Sequence, residues 1–186
     1  MWNYRDEFLE NTYYLVSNKW FGDTILFENS DDYKTFILYV ASNILDHSGI
    51  IISAYSILPN SFYLVIKNQE QGLKLSDFMR KIQVSYAMYF KKKEKNKDLP
   101  RWLPVFEWRF KARKIELEEL EEIESCVAFE PLRMSLVEDI QNRPYTSAHQ
   151  SLDTGYDYKS QMYLKTYSEI PQIQKIFFTE EFLDKI

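Results

Sequence analysis

The sequence predicts an α+β domain of ferredoxin-like type, an antiparallel sheet with helices packed on it. Two observations carry this. Segments rich in β-formers and segments of helical apolar period follow one another as strand, helix, strand, strand, helix, strand, helix. A Pro59-Asn60 turn joins two of the strands into a short hairpin. The chain is 186 residues long, 45% apolar and 17% aromatic, enough for one real core.

Each element has its own signal. Thr12 to Asn18 (TYYLVSN) is dense in β-formers. Ser30 reads as a helix N-cap with Asp31 and Asp32 in the first turn. The helix that follows buries Phe36, Leu38, Val40, Ile44 and Leu45, and Gly49 stops it. Ile50 to Ile57 and Ser61 to Lys67 are the hairpin strands. Ser76-Asp77 reads as the cap of a second helix with Phe78, Ile82, Tyr86, Tyr89 and Phe90 at helical spacing. Val105 to Ile115 alternates large apolar with basic residues, as a strand does. Glu116 to Phe129 is expected to be a third helix, with Leu117, Leu120, Ile123 and Val127 on one stripe and Pro131 ending it. Residues 1–150 read as one domain. Residues 151–186, with Tyr156, Tyr158, Tyr163, Tyr167, Phe177, Phe178 and Phe182, read as an aromatic extension that packs on the domain or on a partner.

Composition removes several classes. One cysteine, Cys126, leaves no internal disulfide and no cysteine-based zinc site. Two histidines, His47 and His149, do not make a His-rich metal cluster. No apolar run approaches a membrane span, and the opening residues, mixed in charge and without an apolar centre, are not expected to be a secretory signal. The expected setting is cytoplasmic. No phosphate-cradling glycine loop, Ser-His-Asp set or dinucleotide fingerprint occurs. Net charge is -5, but it is unevenly placed. Residues 79–114 carry 12 basic and 3 acidic residues, against 5 and 10 before them and 6 and 15 after. Such a block makes a local positive field that the net charge hides. Arg80, Lys81, Lys91, Lys92, Lys93, Lys95, Arg101, Arg109, Lys111, Arg113 and Lys114 belong to it, with Trp102, Trp108 and Phe110 interleaved. Cations beside aromatic faces are what unpaired bases need.

Six stretches, in order over residues 12 to 152, resemble the single-strand tyrosine transposases of the HUH class, in the branch associated with repeated extragenic palindromes. They are YYLVSN, ILFENSDDYKTF, AYSILPN, LSDFMRKIQVSYAMYF, FEWRFKAR, and VAFEPLRMSLVED with the following RPYTSA. The resemblance implies the single-strand transposase type of ferredoxin-like fold. It also implies an active site in which two histidines one residue apart on a central strand, and a polar side chain from the last helix, hold Mg or Mn. A tyrosine of that helix then attacks the scissile phosphate. Mapped residue by residue, the histidine positions fall on Ser61 and Tyr63, the nucleophile on Cys126 and the third ligand on Glu130.

All four depart from the family pattern. A hydroxyl and a phenol are poor ligands beside imidazole, so the expectation is a degenerate motif with no catalytic residue, no cofactor and no metal. The implied function is that of an inactivated transposase derivative retaining at most DNA binding. Its expected partner is structured single-stranded DNA, with no membrane and a monomeric or homodimeric state. Two alternatives stay open: a domesticated protein-interaction module, and an enzyme with a substituted nucleophile at Cys126 beside Glu130.

Overall fold

The computed structural model describes residues 8–21, 25–46, 49–70, 74–94, 104–107, 109–142 and 145–148. His47, His149, Lys95, Arg101, Trp102, Trp108 and all of residues 151–186 lie outside them, as does the domain boundary expected at residue 150.

Four strands form one antiparallel sheet in the order β2-β3-β1-β4. They are β1 (Thr12–Lys19), β2 (Ile50–Leu58), β3 (Ser61–Asn68) and β4 (Lys111–Ile115). This is the ferredoxin-like order, with the hairpin strand β3 and the first strand β1 at the centre. Helices α1 (Ser30–Asp46) and α2 (Lys74–Lys93) cover one face, and α3 (Leu120–Arg133) packs over β2 and β3 on the other.

The α1/α2 face holds the main core. Phe36, Ile37, Val40 and Ile44 of α1 meet Leu75, Phe78, Ile82, Tyr86 and Phe90 of α2 over Val16, Ile52, Tyr55, Phe62, Leu64 and Ile66 of the sheet. Each fully buried side chain of this size contributes about 1.5–3 kcal/mol. The α3 face is smaller: Leu15, Ala54, Val65, Ile115, Ile123 and Val127, edged by Tyr13, Tyr63 and Leu120. The outer edge of β2 is covered by returning chain, with Ile57 N–H donating to the Tyr145 carbonyl at 2.9 Å and Ser147 N–H to that of Tyr55 at 2.9 Å. That covers the open edge of the sheet at Tyr55–Ile57.

Several elements differ from the sequence reading for identifiable reasons. The cap of α1 is Asn29, not Ser30: its side-chain oxygen accepts the N–H groups of Asp31 (3.1 Å) and Asp32 (3.2 Å). Leu38 is only half-buried, because the inward face of α1 runs through Tyr33, Ile37 and Ala41 instead. Helix α2 begins at Lys74, so Ser76 and Asp77 lie inside its first turn, and Leu75 is already buried.

The long alternating segment is a strand only from Lys111. Val105 and Phe106 are both buried, so adjacent residues turn inward, which an alternating strand does not allow. Leu117 belongs to a short 3-10 turn, Leu117–Glu119, and is 71% exposed rather than part of the apolar stripe of α3. Pro131 does not stop α3. It sits in the last turn, and the helix ends where Ser135 takes φ 53°, with Leu136 N–H returning to the Pro131 carbonyl at 2.9 Å.

Candidate functional site

Strand side chains alternate, so Ser61, Tyr63 and Val65 of β3 all face α3. The register puts Ser56 of β2 and Ser17 of β1 on either side of Tyr63, and Lys111 of β4 beyond Ser17. Ser56, Tyr63, Ser17 and Lys111 therefore form one polar row across the sheet on the α3 side. The Ser56 hydroxyl is fully buried and without a hydrogen-bond partner among the described residues.

The helix supplies the other half. Cys126 and Glu130 are one turn apart on the inward side of α3, 3% and 2% exposed. Glu130 accepts from Arg133 at both carboxylate oxygens, the Nε bond measuring 2.6 Å, in a bidentate pair. The charges of Glu130 and Arg133 are both felt by Tyr63 and by Cys126. Tyr63, Cys126, Glu130 and Arg133 thus form one cluster. Ser61 shares the Tyr63 face but lies at the hairpin turn, opposite Leu58 and Lys19.

The electrostatics of this cluster keep its nucleophiles protonated. Burial pushes the Cys126 thiol up to about 12, reinforced by Glu122 and Glu130 and opposed by Arg133. Burial, then the Glu130 charge, raises Tyr63 against the opposing Arg133. Arg133 is held protonated by its hydrogen bonds to Glu130. A thiol in this state is a poor nucleophile and a poor metal ligand at neutral pH.

The carboxylate is engaged by a guanidinium, and among the described residues no group of three or more His, Cys, Asp or Glu is placed to hold a metal ion. The donor set of hydroxyl, phenol, thiol and capped carboxylate does not fit Mg or Mn, which take open oxygen ligands. Arg133 was absent from the residues singled out in the sequence. The Glu130-Pro-Leu-Arg133 spacing, which puts the two charges on one helix face, was the available signal.

The basic residues fall into two groups. Trp20, at the end of β1, packs its ring 4.8 Å from Phe90 and bridges to Phe106, and Lys19 pairs with Glu107 at 3.1 Å. These contacts bring the end of α2, the approach to β4 and the start of β3 to one end of the molecule. Lys91, Lys92, Arg109 and Lys111 are exposed there, at the same end as Ser61 and Tyr63. Arg80 and Lys81 lie about 15 Å back along α2 and share Asp77 as ion-pair partner. Lys114 pairs with Glu116 and Arg113 with Glu119.

Lys93 serves the fold. Its ammonium is 2.7 Å from Asp32 and 3.3 Å from Glu28. Asp32 is fully buried and also accepts from the Tyr89 hydroxyl (2.8 Å) and from the N–H groups of Glu28 and Asn29. Burial raises its pKa, but these hydrogen bonds, led by Lys93, leave it below the ordinary value.

A four-stranded antiparallel sheet with three helices in this arrangement defines a transposase-like α+β fold. A REP-associated tyrosine transposase bound to a REP hairpin matches it with a TM-score of 0.61 at 15% identity, over 79% of this chain and 82% of that one. A Deinococcus radiodurans protein described as a transposase matches at a TM-score of 0.45 and 13% identity, over 67% of this chain and 94% of that one. The tRNA(His) guanylyltransferase of Saccharomyces cerevisiae matches at 0.45 and 16%, over 69% and 62%. No family model and no curated protein sequence matches the chain. No helix among the described residues is long and apolar enough to cross a membrane.

Proposed function

We propose that this chain is a transposase-like protein that binds structured single-stranded DNA and does not cut it. The observation that carries the reading is the Glu130–Arg133 pair. The carboxylate at the position where the resemblance implies a metal ligand is bound by an internal guanidinium, beside a thiol held protonated at the nucleophile position. Binding is supported by Lys91, Lys92, Arg109 and Lys111, exposed at the same end as Ser61 and Tyr63. It is supported too by the likeness of fold to a transposase bound to a REP hairpin. Phosphate contacts of this kind weaken steeply with salt, by about one ion released per contact.

The test is fluorescence anisotropy with a labelled DNA hairpin carrying a single-stranded flank, over a salt series and with either EDTA or Mn²⁺. The expected result is salt-sensitive binding that is the same with and without metal, and no covalent adduct on a denaturing gel. Lys91→Glu/Lys92→Glu weakens binding at least tenfold and flattens the salt slope. Absence of binding at low salt removes the DNA reading. An adduct restores the enzyme reading, with Cys126→Ala then identifying the nucleophile.

A further inference from the structure

Helix α2 turns Ile82, Tyr86 and Phe90 into the core, and its outer side carries a stripe that the fold does not use. Val84 and Met88, one turn apart, are 50% and 69% exposed. Arg80 and Lys81, which share the single carboxylate of Asp77, precede them by a turn, and Lys91 and Lys92 follow by a turn. Two adjacent exposed apolar side chains between two pairs of cations suit a partner that is apolar at its centre and acidic around it.

The same molecule presents that pattern. Leu117 is the most exposed large apolar side chain described, and Glu116, Glu118 and Glu121 are exposed around it. Among the described residues, Lys114 pairs with Glu116 and Arg113 with Glu119 of this ridge. The two patches cannot meet within one chain. Helix α2 lies on one face of the sheet, and the ridge leads into α3 on the other. They match only between copies, and the match is heterologous, one patch of each kind per contact.

We propose that this protein self-associates head to tail, the Val84–Met88 stripe of one copy docking on the Leu117 ridge of the next. The contact takes two unlike patches out of water and sets cations against carboxylates. Its strength therefore falls with salt. Because an open assembly of any length keeps one stripe free at one end and one ridge free at the other, association grows with concentration.

The test is sedimentation velocity on the full chain at low and high salt, over a concentration series. The wild type is expected to show an average sedimentation coefficient that rises with concentration at low salt and falls back at high salt. Lys91→Glu/Lys92→Glu cancels the positive charge of the stripe and leaves the ridge intact, and Glu118→Lys/Glu121→Lys cancels the negative charge of the ridge and leaves the stripe intact, so each alone sediments as a monomer. Mixed in equal amounts, the two variants associate again, because each supplies the patch that the other has lost. All four substitutions are at exposed positions, and circular dichroism confirms that each variant is folded. A wild type that stays monomeric at every concentration overturns the proposal, as does a mixture that stays monomeric. Salt-independent association shared by wild type and both variants overturns it too.

Discussion

Asp32 and Glu130 are both buried carboxylates, one on each face of the sheet, and they are held in different ways. Asp32, on the α1/α2 face, has four partners of three kinds: two backbone N–H groups, a phenol and an ammonium. Glu130, on the α3 face, has the guanidinium of Arg133, one turn along its own helix. The first is a junction that ties the start of α1 to the end of α2. The second ties α3 only to itself, and so answers the charge of Glu130 without joining elements. A buried charge that stabilises the fold is thus distinguished from one that is merely tolerated by how many separate segments its partners come from.

The largest effect is expected at the first acid. Asp32→Ala takes this acceptor from two N–H groups and the Tyr89 hydroxyl and leaves Lys93 with Glu28 alone among the described residues, and a loss of about 3–4 kcal/mol in urea unfolding is predicted. Next is Arg133→Met, which strands the Glu130 charge in the protein and costs about 2–3 kcal/mol. The double variant Glu130→Leu/Arg133→Met returns to within about 1 kcal/mol of wild type, because an apolar pair replaces a desolvated one. If the double variant is as unstable as the single, Glu130 is a structural junction like Asp32 and the contrast fails.

A smaller effect is expected in the pH dependence of unfolding. The folded pKa of Asp32 is below its ordinary value of 3.8. Its contribution is therefore present above that pH and is lost as pH falls through the folded pKa. Asp32→Asn flattens this acid limb. The thiol of Cys126 behaves in the opposite sense. It holds its proton in the folded state up to about 12, against 9.0 when unfolded. Stability is thus full below pH 9 and is lost progressively above it, and Cys126→Ala flattens that alkaline limb. The same shift predicts that iodoacetamide labels Cys126 in the native protein no faster than the chain opens.

The order of elements was legible in the sequence because strand and helix periods are local. The hairpin follows from Pro59-Asn60, and the resemblance puts Ser61 and Tyr63 on one strand face and Cys126 and Glu130 on one side of the last helix. What was hidden needed neighbours distant in the chain. Asp32 reads as a surface first-turn acid until Lys93 and Tyr89 arrive from α2. Lys93 reads as one cation of a basic block, yet it is spent on that acid. Leu117 fits a helical stripe in sequence, but the chain has not yet become α-helix where it lies.

The short return of the chain over β2 has a mechanical meaning. The ring of Tyr145 stacks on Tyr33 of α1 at 4.0 Å, while the hydroxyl of the next residue, Thr146, donates to the carbonyl of Ala128 in α3. Adjacent residues thus grip both sides of the sheet from its rim, like a staple through layers that otherwise share only their middle ply. With no layer free to peel away first, both cores are expected to melt together, as one transition in calorimetry.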